Sequence, residues 1–193
     1  MLLSDKDIAR LISSGELKIQ HNTIIDLKSA SICLHLSNKL RVFSDKQYEI
    51  DIRLEETYPH SRSIEVDTIT GYSINPGDFL LASTTEEISL PNSVAGVLSN
   101  ISGLARLGLN TILSTYVSPG YGKNTPKPIT LELHNISKSK IRIYPGMRIC
   151  HLLLSSLQTN TTKGYDQLHP EKYITMAPQG SEYFKNTGLP SRE

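Results

Sequence analysis

Ser102, Gly103 and Arg106 fall within the short stretch Ser102-Gly103-Leu104-Ala105-Arg106, which brings together a hydroxyl, a backbone without a side chain and a cationic fork. The set suits a phosphate: an anion can approach the Gly103 backbone closely, and the guanidinium offers paired donors. A turn hydroxyl and a surface ion pair would use the same residue types, so both readings stay open. The second candidate is Glu132. In Ile129-Thr130-Leu131-Glu132-Leu133-His134 apolar and polar residues alternate, so a strand turns Glu132 away from Leu131 and Leu133. A carboxylate there is either a solvated residue of a one-sided sheet or a proton-transfer group that a pocket reaches.

The residue pattern gives metal catalysis little to work with. A zinc deaminase needs His-x-Glu followed by Pro-Cys-x-x-Cys, because three N or S ligands must hold the metal that ionises the attacking water. His169-Pro170-Glu171 supplies the first half only, since Cys33 and Cys150 are far apart and no Cys-x-x-Cys exists. The six histidines lack ligand spacing, and His35, His134 and His151 fall in expected strands as hydrogen-bonded structural groups. There is no Walker A loop, GxGxxG turn or GxSxG elbow. No catalytic zinc and no protein-bound metal are expected.

The elements that must position these residues are short. Ser4 can cap a first helix, with Asp7 completing a capping box and Leu3 and Ile8 a hydrophobic staple; Gly15 ends it. Strands are expected at 31–36, 64–69, 79–83, 94–98, 129–134, 141–143 and 147–154. The turn signals Asn75-Pro76-Gly77-Asp78, Pro119-Gly120 and Pro145-Gly146 separate them at a spacing that fits a sandwich, barrel or jelly roll and not βαβ units. The last thirty or so residues carry no sustained period and read as an irregular tail or lid.

A chain of 193 residues can bury one sizeable core, and no Pro- or Gly-rich linker divides it. The balance of 20 Lys+Arg against 19 Asp+Glu gives no bulk attraction for nucleic acid or an anionic membrane, so any phosphate must be held locally. Two distant cysteines fit a reducing compartment, packed as small apolar groups and not as a disulfide. The first residues are acidic where a signal peptide is apolar, and no stretch approaches a membrane span, so a cytoplasmic location is expected.

The stretch Leu98-Ser99-Asn100-Ile101-Ser102-Gly103-Leu104-Ala105-Arg106-Leu107-Gly108-Leu109 resembles the Gly-Arg-Ser-Ser-x-Ala-Arg-x-Gly-Leu signature of the dCTP deaminases of the trimeric dUTPase superfamily. Collinear support comes from Asn75-Pro76-Gly77-Asp78-Phe79-Leu80-Leu81-Ala82, Ile88-Ser89-Leu90-Pro91, Leu131-Glu132-Leu133-His134-Asn135 and Tyr144-Pro145-Gly146-Met147-Arg148-Ile149. The openings Leu3-Ser4-Asp5-Lys6-Asp7-Ile8 and Ser29-Ala30-Ser31-Ile32-Cys33-Leu34-His35-Leu36 fit as well, so the resemblance covers residues 1–180. It implies a mostly β fold, a distorted jelly roll or β-barrel with a short N-terminal helix. Residues 1–160 would form the β domain and 161–193 a C-terminal lid or tail. It also implies a homotrimer with sites between neighbouring subunits, and Mg²⁺ bound through the nucleotide triphosphate.

The resemblance makes Glu132, Ser102 and Arg106 the catalytic set, with Glu132 as the proton shuttle. Nucleotide contacts would come from Ser102, Gly103, Arg106, Thr115, Ser118, Tyr165, Lys172 and Gln179. Lys172-Tyr173 and Gln179-Gly180 resemble the segment that closes over the nucleotide.

Three departures stand out. Ile101 occupies the place of an arginine that helps hold the phosphates. Ser118 replaces an aspartate that recognises the 3′-hydroxyl, in a hairpin one residue shorter. Cys33 and His35 stand where the family has Asp and Arg, a change that could touch subunit packing or the site.

The expected function is metal-independent deamination of dCTP, or a related cytosine nucleotide, to dUTP and ammonia. The losses at 101 and 118 keep open a non-catalytic nucleotide-binding paralogue on the same scaffold. A dUTP pyrophosphatase is the weakest of the three readings, because an aspartate orients the water in dUTPases.

Overall fold

A computed structural model of the chain describes residues 1–20, 24–43, 49–169, 178 and 180–188. The N-terminal helix α1 (Asp5–Ser13) forms as expected: Ser4 Oγ accepts from Asp7 N at 3.3 Å, and Asp7 Oδ2 accepts from Ser4 N at 3.2 Å. Both ends of the expected staple, Leu3 and Ile8, are in the core. Gly15 leaves the helix at φ 76°, a conformation open to glycine without steric cost.

Beyond this helix the chain turns to β structure: β1 (Lys18–Gln20), β2 (Asp26–Lys28), β3 (Ser31–Phe43), β4 (Ser61–Glu65), β5 (Tyr72–Ile74), β6 (Phe79–Ser89) and β7 (Val94–Asn100). After helix α2 (Ser102–Arg106) come β8 (Leu109–Asn110), β9 (Tyr116–Val117), β10 (Lys127–Asn135), β11 (Ile141–Ile143) and β12 (Arg148–Ser156), and then α3 (Tyr165–Leu168). One sheet runs β8-β10-β6-β3-β12-β7-β9, with β1 also paired to β6, and β2 and β4 to β3; β5 and β11 form a separate ribbon.

Strand β3 joins the two halves of this sheet. Its first residues pair with β2 and β12, and from Leu36 onward it pairs with β6 and β4. One long strand serving both halves curls the sheet around a single core, in which Leu34, Leu36, Leu80, Leu131, Leu133 and Leu152 are almost fully buried. This is the mostly β architecture expected from the turn spacing, in the jelly-roll form that the resemblance implied.

Two local expectations were displaced. The strand expected at 64–69 ends at Glu65 because Asp67 starts a turn: its Oδ1 accepts from the backbone N–H of Ile69 at 2.9 Å and Thr70 at 2.8 Å. A side chain that satisfies nearby amides competes with the ladder and ends it. The strand expected at 79–83 continues to Ser89 through buried Thr84 and Glu86, because Glu86 is paired: its Oε1 lies 2.7 Å from His35 Nδ1, and its Oε2 accepts from His35 N at 2.9 Å.

Candidate functional site

A cavity of about 740 Å³ opens over the β6–β10 pair. Its floor follows from the alternation in β10: Thr130 lies opposite Ser83 and Glu132 opposite Leu81, and all four line the cavity, while Leu131 and Leu133 face the core. The alternating strand therefore places the half-buried Glu132 at the floor of an open cavity and not on a face open only to bulk water.

The Glu132 carboxylate is anchored on one oxygen. Its Oε2 accepts from the backbone N–H of Leu113 and of Ser114, each at 3.1 Å, and among the described residues its Oε1 has no hydrogen bond. Fixing one oxygen leaves the other in a set direction, available to a water or a substrate proton. Ser83, opposite Thr130 on the same cavity floor, has a buried Oγ without a hydrogen-bond partner among the described residues.

One wall comes from Tyr116, Val117 and Ser118 together with Tyr121 and Tyr165, whose rings stand 5.6 Å apart. The opposite wall is apolar: Phe43 stacks on Phe79 at 5.5 Å, and Ile50, Ile52 and Tyr58 continue it. Gly180, Ser181 and Tyr183 reach the same cavity from the C-terminal segment. That segment is tied down where Arg41 Nε donates to Pro178 O at 2.7 Å and the Phe184 ring meets Tyr58 edge-on at 5.7 Å.

The structure gathers part of the expected site and separates part of it. Glu132, Ser118 and Tyr165 line the cavity, and Thr115 lies between two lining residues, its carbonyl bonded to Leu98 N at 2.7 Å. Ser102, Gly103 and Arg106 sit on α2, exposed and outside the cavity wall of the single chain. Among the described residues Arg106 has neither an ion pair nor a hydrogen bond. Lys172 and Gln179 lie outside the described residues. Residues the sequence did not single out also belong here: the Leu113 and Ser114 amides, Ser83 and the apolar wall. Tyr121, which in Ser118-Pro119-Gly120-Tyr121 stands where the resembling family has Trp or Phe, lines the cavity beside Ser118.

Elsewhere the titratable groups are structural. Cys33 and Cys150 are buried free thiols; burial pushes both up, Cys150 further, so each stays protonated. The Lys28 ammonium, followed by Arg148, holds the Asp26 carboxyl below the usual carboxylate range. Neither His35 nor Cys33 lines the cavity. Among the described residues no group of three or more His, Cys, Asp or Glu is placed to hold a metal ion, and no helix is long and apolar enough to cross a membrane.

Comparison with known proteins places these features in context. Residues 2–157 match a family described as dCTP deaminase-like. A dCTP deaminase, dUMP-forming, of Sulfurihydrogenibium is 36% identical over 86% of this chain and 89% of its own length. One of Streptomyces griseus is 34% identical over 96% of this chain and 97% of its own length. Among solved structures, the 2′-deoxycytidine 5′-triphosphate deaminase from Agrobacterium tumefaciens superposes with a TM-score of 0.56 at 19% identity. That match covers 79% of this chain and 47% of the other, and it shows a shared fold.

Proposed function

Because the chain belongs to the dCTP deaminase-like family, we propose that it is a hydrolase that removes the 4-amino group of dCTP, with Glu132 moving the protons. The observation that carries this reading is the half-anchored carboxylate: Oε2 held by two backbone amides, Oε1 turned loose at the floor of a cavity of nucleotide size.

In this reading a water held by Glu132 Oε1 attacks C4. The carboxylate takes the water's proton as the C–O bond forms and passes it to N3, giving a tetrahedral carbon that bears both hydroxyl and amine. It then takes the hydroxyl proton and delivers it to the amine. The C4–N bond breaks, ammonia leaves and the C4 carbonyl of uracil forms. Each transfer runs through one side chain that is basic when free and acidic when loaded, so no metal is required. The apolar wall lowers the local dielectric and strengthens these charge interactions.

The names of the relatives carry the reaction one step further than the dUTP expected from the sequence. We take the final product as dUMP, reached by a second water at the α-phosphate with release of pyrophosphate. A specific feature favours a second reading in which dUTP is released: Ser118 offers that wall a hydroxyl where an aspartate would orient the second water.

The substrate is taken as its Mg²⁺ complex, with the ion on phosphate oxygens. Arg106, Ser102 and Gly103 then meet the phosphates from a neighbouring subunit, which accounts for an exposed cation without a counter-charge among the described residues. Three chains would share three such sites, and residues 161–193 would supply the lid from which Lys172 and Gln179 reach the nucleotide.

The test is to incubate the protein and Mg²⁺ with cytosine and uracil nucleotides while following ammonia and pyrophosphate separately. Ammonia and pyrophosphate in equal amounts from dCTP are expected. Ammonia alone establishes dUTP as the product, and binding with neither released replaces the enzyme by a binding protein on the same scaffold.

A further inference from the structure

Two charged groups that do not line the cavity stand directly behind its aromatic wall. Asp166, in the first turn of α3, is 5% exposed. Its Oδ1 accepts from Gly122 N at 3.2 Å and Lys127 Nζ at 2.8 Å, and its Oδ2 from Asn124 N at 3.0 Å. Lys127, at the start of β10, places the same ammonium 5.0 Å from the Tyr121 ring centre and 5.5 Å from that of Tyr165. The rest of the junction is closely fitted. Tyr165 N donates to Pro119 O at 2.8 Å and Tyr121 OH to Pro128 O at 2.6 Å, and a Cβ on Gly164 would lie 3.0 Å from the Gly120 Cα.

We propose that Asp166 and Lys127 are positioning residues for the nucleotide: their ion pair locks Tyr121 and Tyr165 into the surface against which the substrate packs, and roots the C-terminal segment at the cavity's edge. This rests on the reading of the cavity as the nucleotide site. The pair is an unexpected choice if stability alone is at stake, because apolar residues of similar volume serve a buried site as well as an ion pair does. What an ion pair adds is direction. The carboxylate joins the 118–124 loop, α3 and β10 at one point, and the ammonium below the two rings fixes their tilt through its attraction to their faces. A ring held in one orientation loses less freedom on binding, so the benefit falls on affinity and not on the proton transfers at Glu132.

The test compares wild type with Asp166→Asn, Lys127→Met and Lys127→Arg. Calorimetry gives Kd for dCTP with Mg²⁺, steady-state ammonia release gives kcat and KM, and thermal melts confirm folding. Asp166→Asn and Lys127→Met should raise Kd and KM on the order of ten- to a hundredfold and leave kcat within about threefold, whereas Lys127→Arg, which keeps the charge, should stay near wild type. Should Asp166→Asn not fold, Lys127→Met carries the same expectation, since its apolar stem still fills the space between the rings. Folded variants with unchanged Kd and KM, or with reduced kcat at unchanged KM, overturn the proposal even if the wild type deaminates dCTP. A wild type that binds dCTP without releasing ammonia ends the deaminase reading instead, and the Kd comparison still decides the role of the pair.

Discussion

Glu132→Gln separates proton transfer from every other duty of this residue. The two amides of Leu113 and Ser114, each 3.1 Å from Oε2, require an acceptor. The glutamine must therefore turn its carbonyl oxygen toward them and its NH2 toward the cavity, because the reverse orientation sets donors against donors. The anchor and the shape survive, while the group facing the substrate has lost its lone pair and can no longer accept a proton. A positioned acid/base contributes roughly 10²–10⁴-fold, about 2.7–5.5 kcal/mol of barrier, so kcat should fall by that factor. Binding should change by less than one hydrogen bond is worth, about 0.5–1.5 kcal/mol, since no protein contact is removed. Glu132→Ala is the contrast: it leaves two amides without their acceptor and should lower stability as well as turnover. The assay is ammonia release from dCTP under saturation, beside calorimetric Kd and a thermal melt of each variant. A glutamine variant that releases ammonia at the wild-type rate refutes the reasoning, and one that binds a hundredfold more weakly shows that the free oxygen serves affinity.

Arg106→Ala should weaken nucleotide binding by one to two orders of magnitude, about 1.5–3 kcal/mol for a charge-assisted contact, as measured by calorimetry. Refolding it in equal mixture with Glu132→Gln chains should restore about a quarter of wild-type ammonia release, since that share of shared sites draws both intact residues from different chains; no recovery argues that the two residues do not share a site. Gly122→Ala should be strongly destabilising, because a Cβ there would stand 2.0 Å from the Ile88 carbonyl oxygen at φ +66°. Strain of about 1–3 kcal/mol corresponds to a Tm lower by roughly 2–12 °C, and an unchanged Tm would contradict the geometry of this loop. Asp26 has a lowered folded pKa, so its stabilisation is present above the unfolded carboxylate value of about 3.9 and is lost as pH falls through the folded value. Thermal melts of Asp26→Asn should therefore lie below wild type at neutral pH and converge with it in strong acid, and a gap that stays constant with pH would sink the assignment.

Much of this protein was legible before folding, and the legible parts share a scale. The Ser4–Asp7 capping box, the Gly15 exit and the turn signals depend on residues a few positions apart, so their types alone specify the geometry. The alternation of 129–134 fixed which residues share a face with Glu132, because side-chain direction in a strand has a period of two. The collinear motifs carried the family, and with it the fold. The strand expected at 64–69 failed on the same local scale, through the turn that Asp67 makes.

The tertiary structure decided what lies over each face. Period two cannot distinguish a face that borders a cavity from one open to bulk water; that depended on β3 passing between the two halves of the sheet and on Ile50, Ile52 and Tyr58 lining the same cavity. The Glu132 anchor spans 18 and 19 residues and the Lys127–Asp166 pair 39, and neither partner carries any mark of the other in the sequence. Such contacts form where chain closure brings distant segments together, and at the buried Lys127–Asp166 pair, where water is largely excluded, each charge must take whatever partner the fold brings to it. The exposure of Arg106 has the same origin: its side chain advertised a phosphate, but its place relative to Glu132 is a property of how sheets, and in our reading subunits, come together.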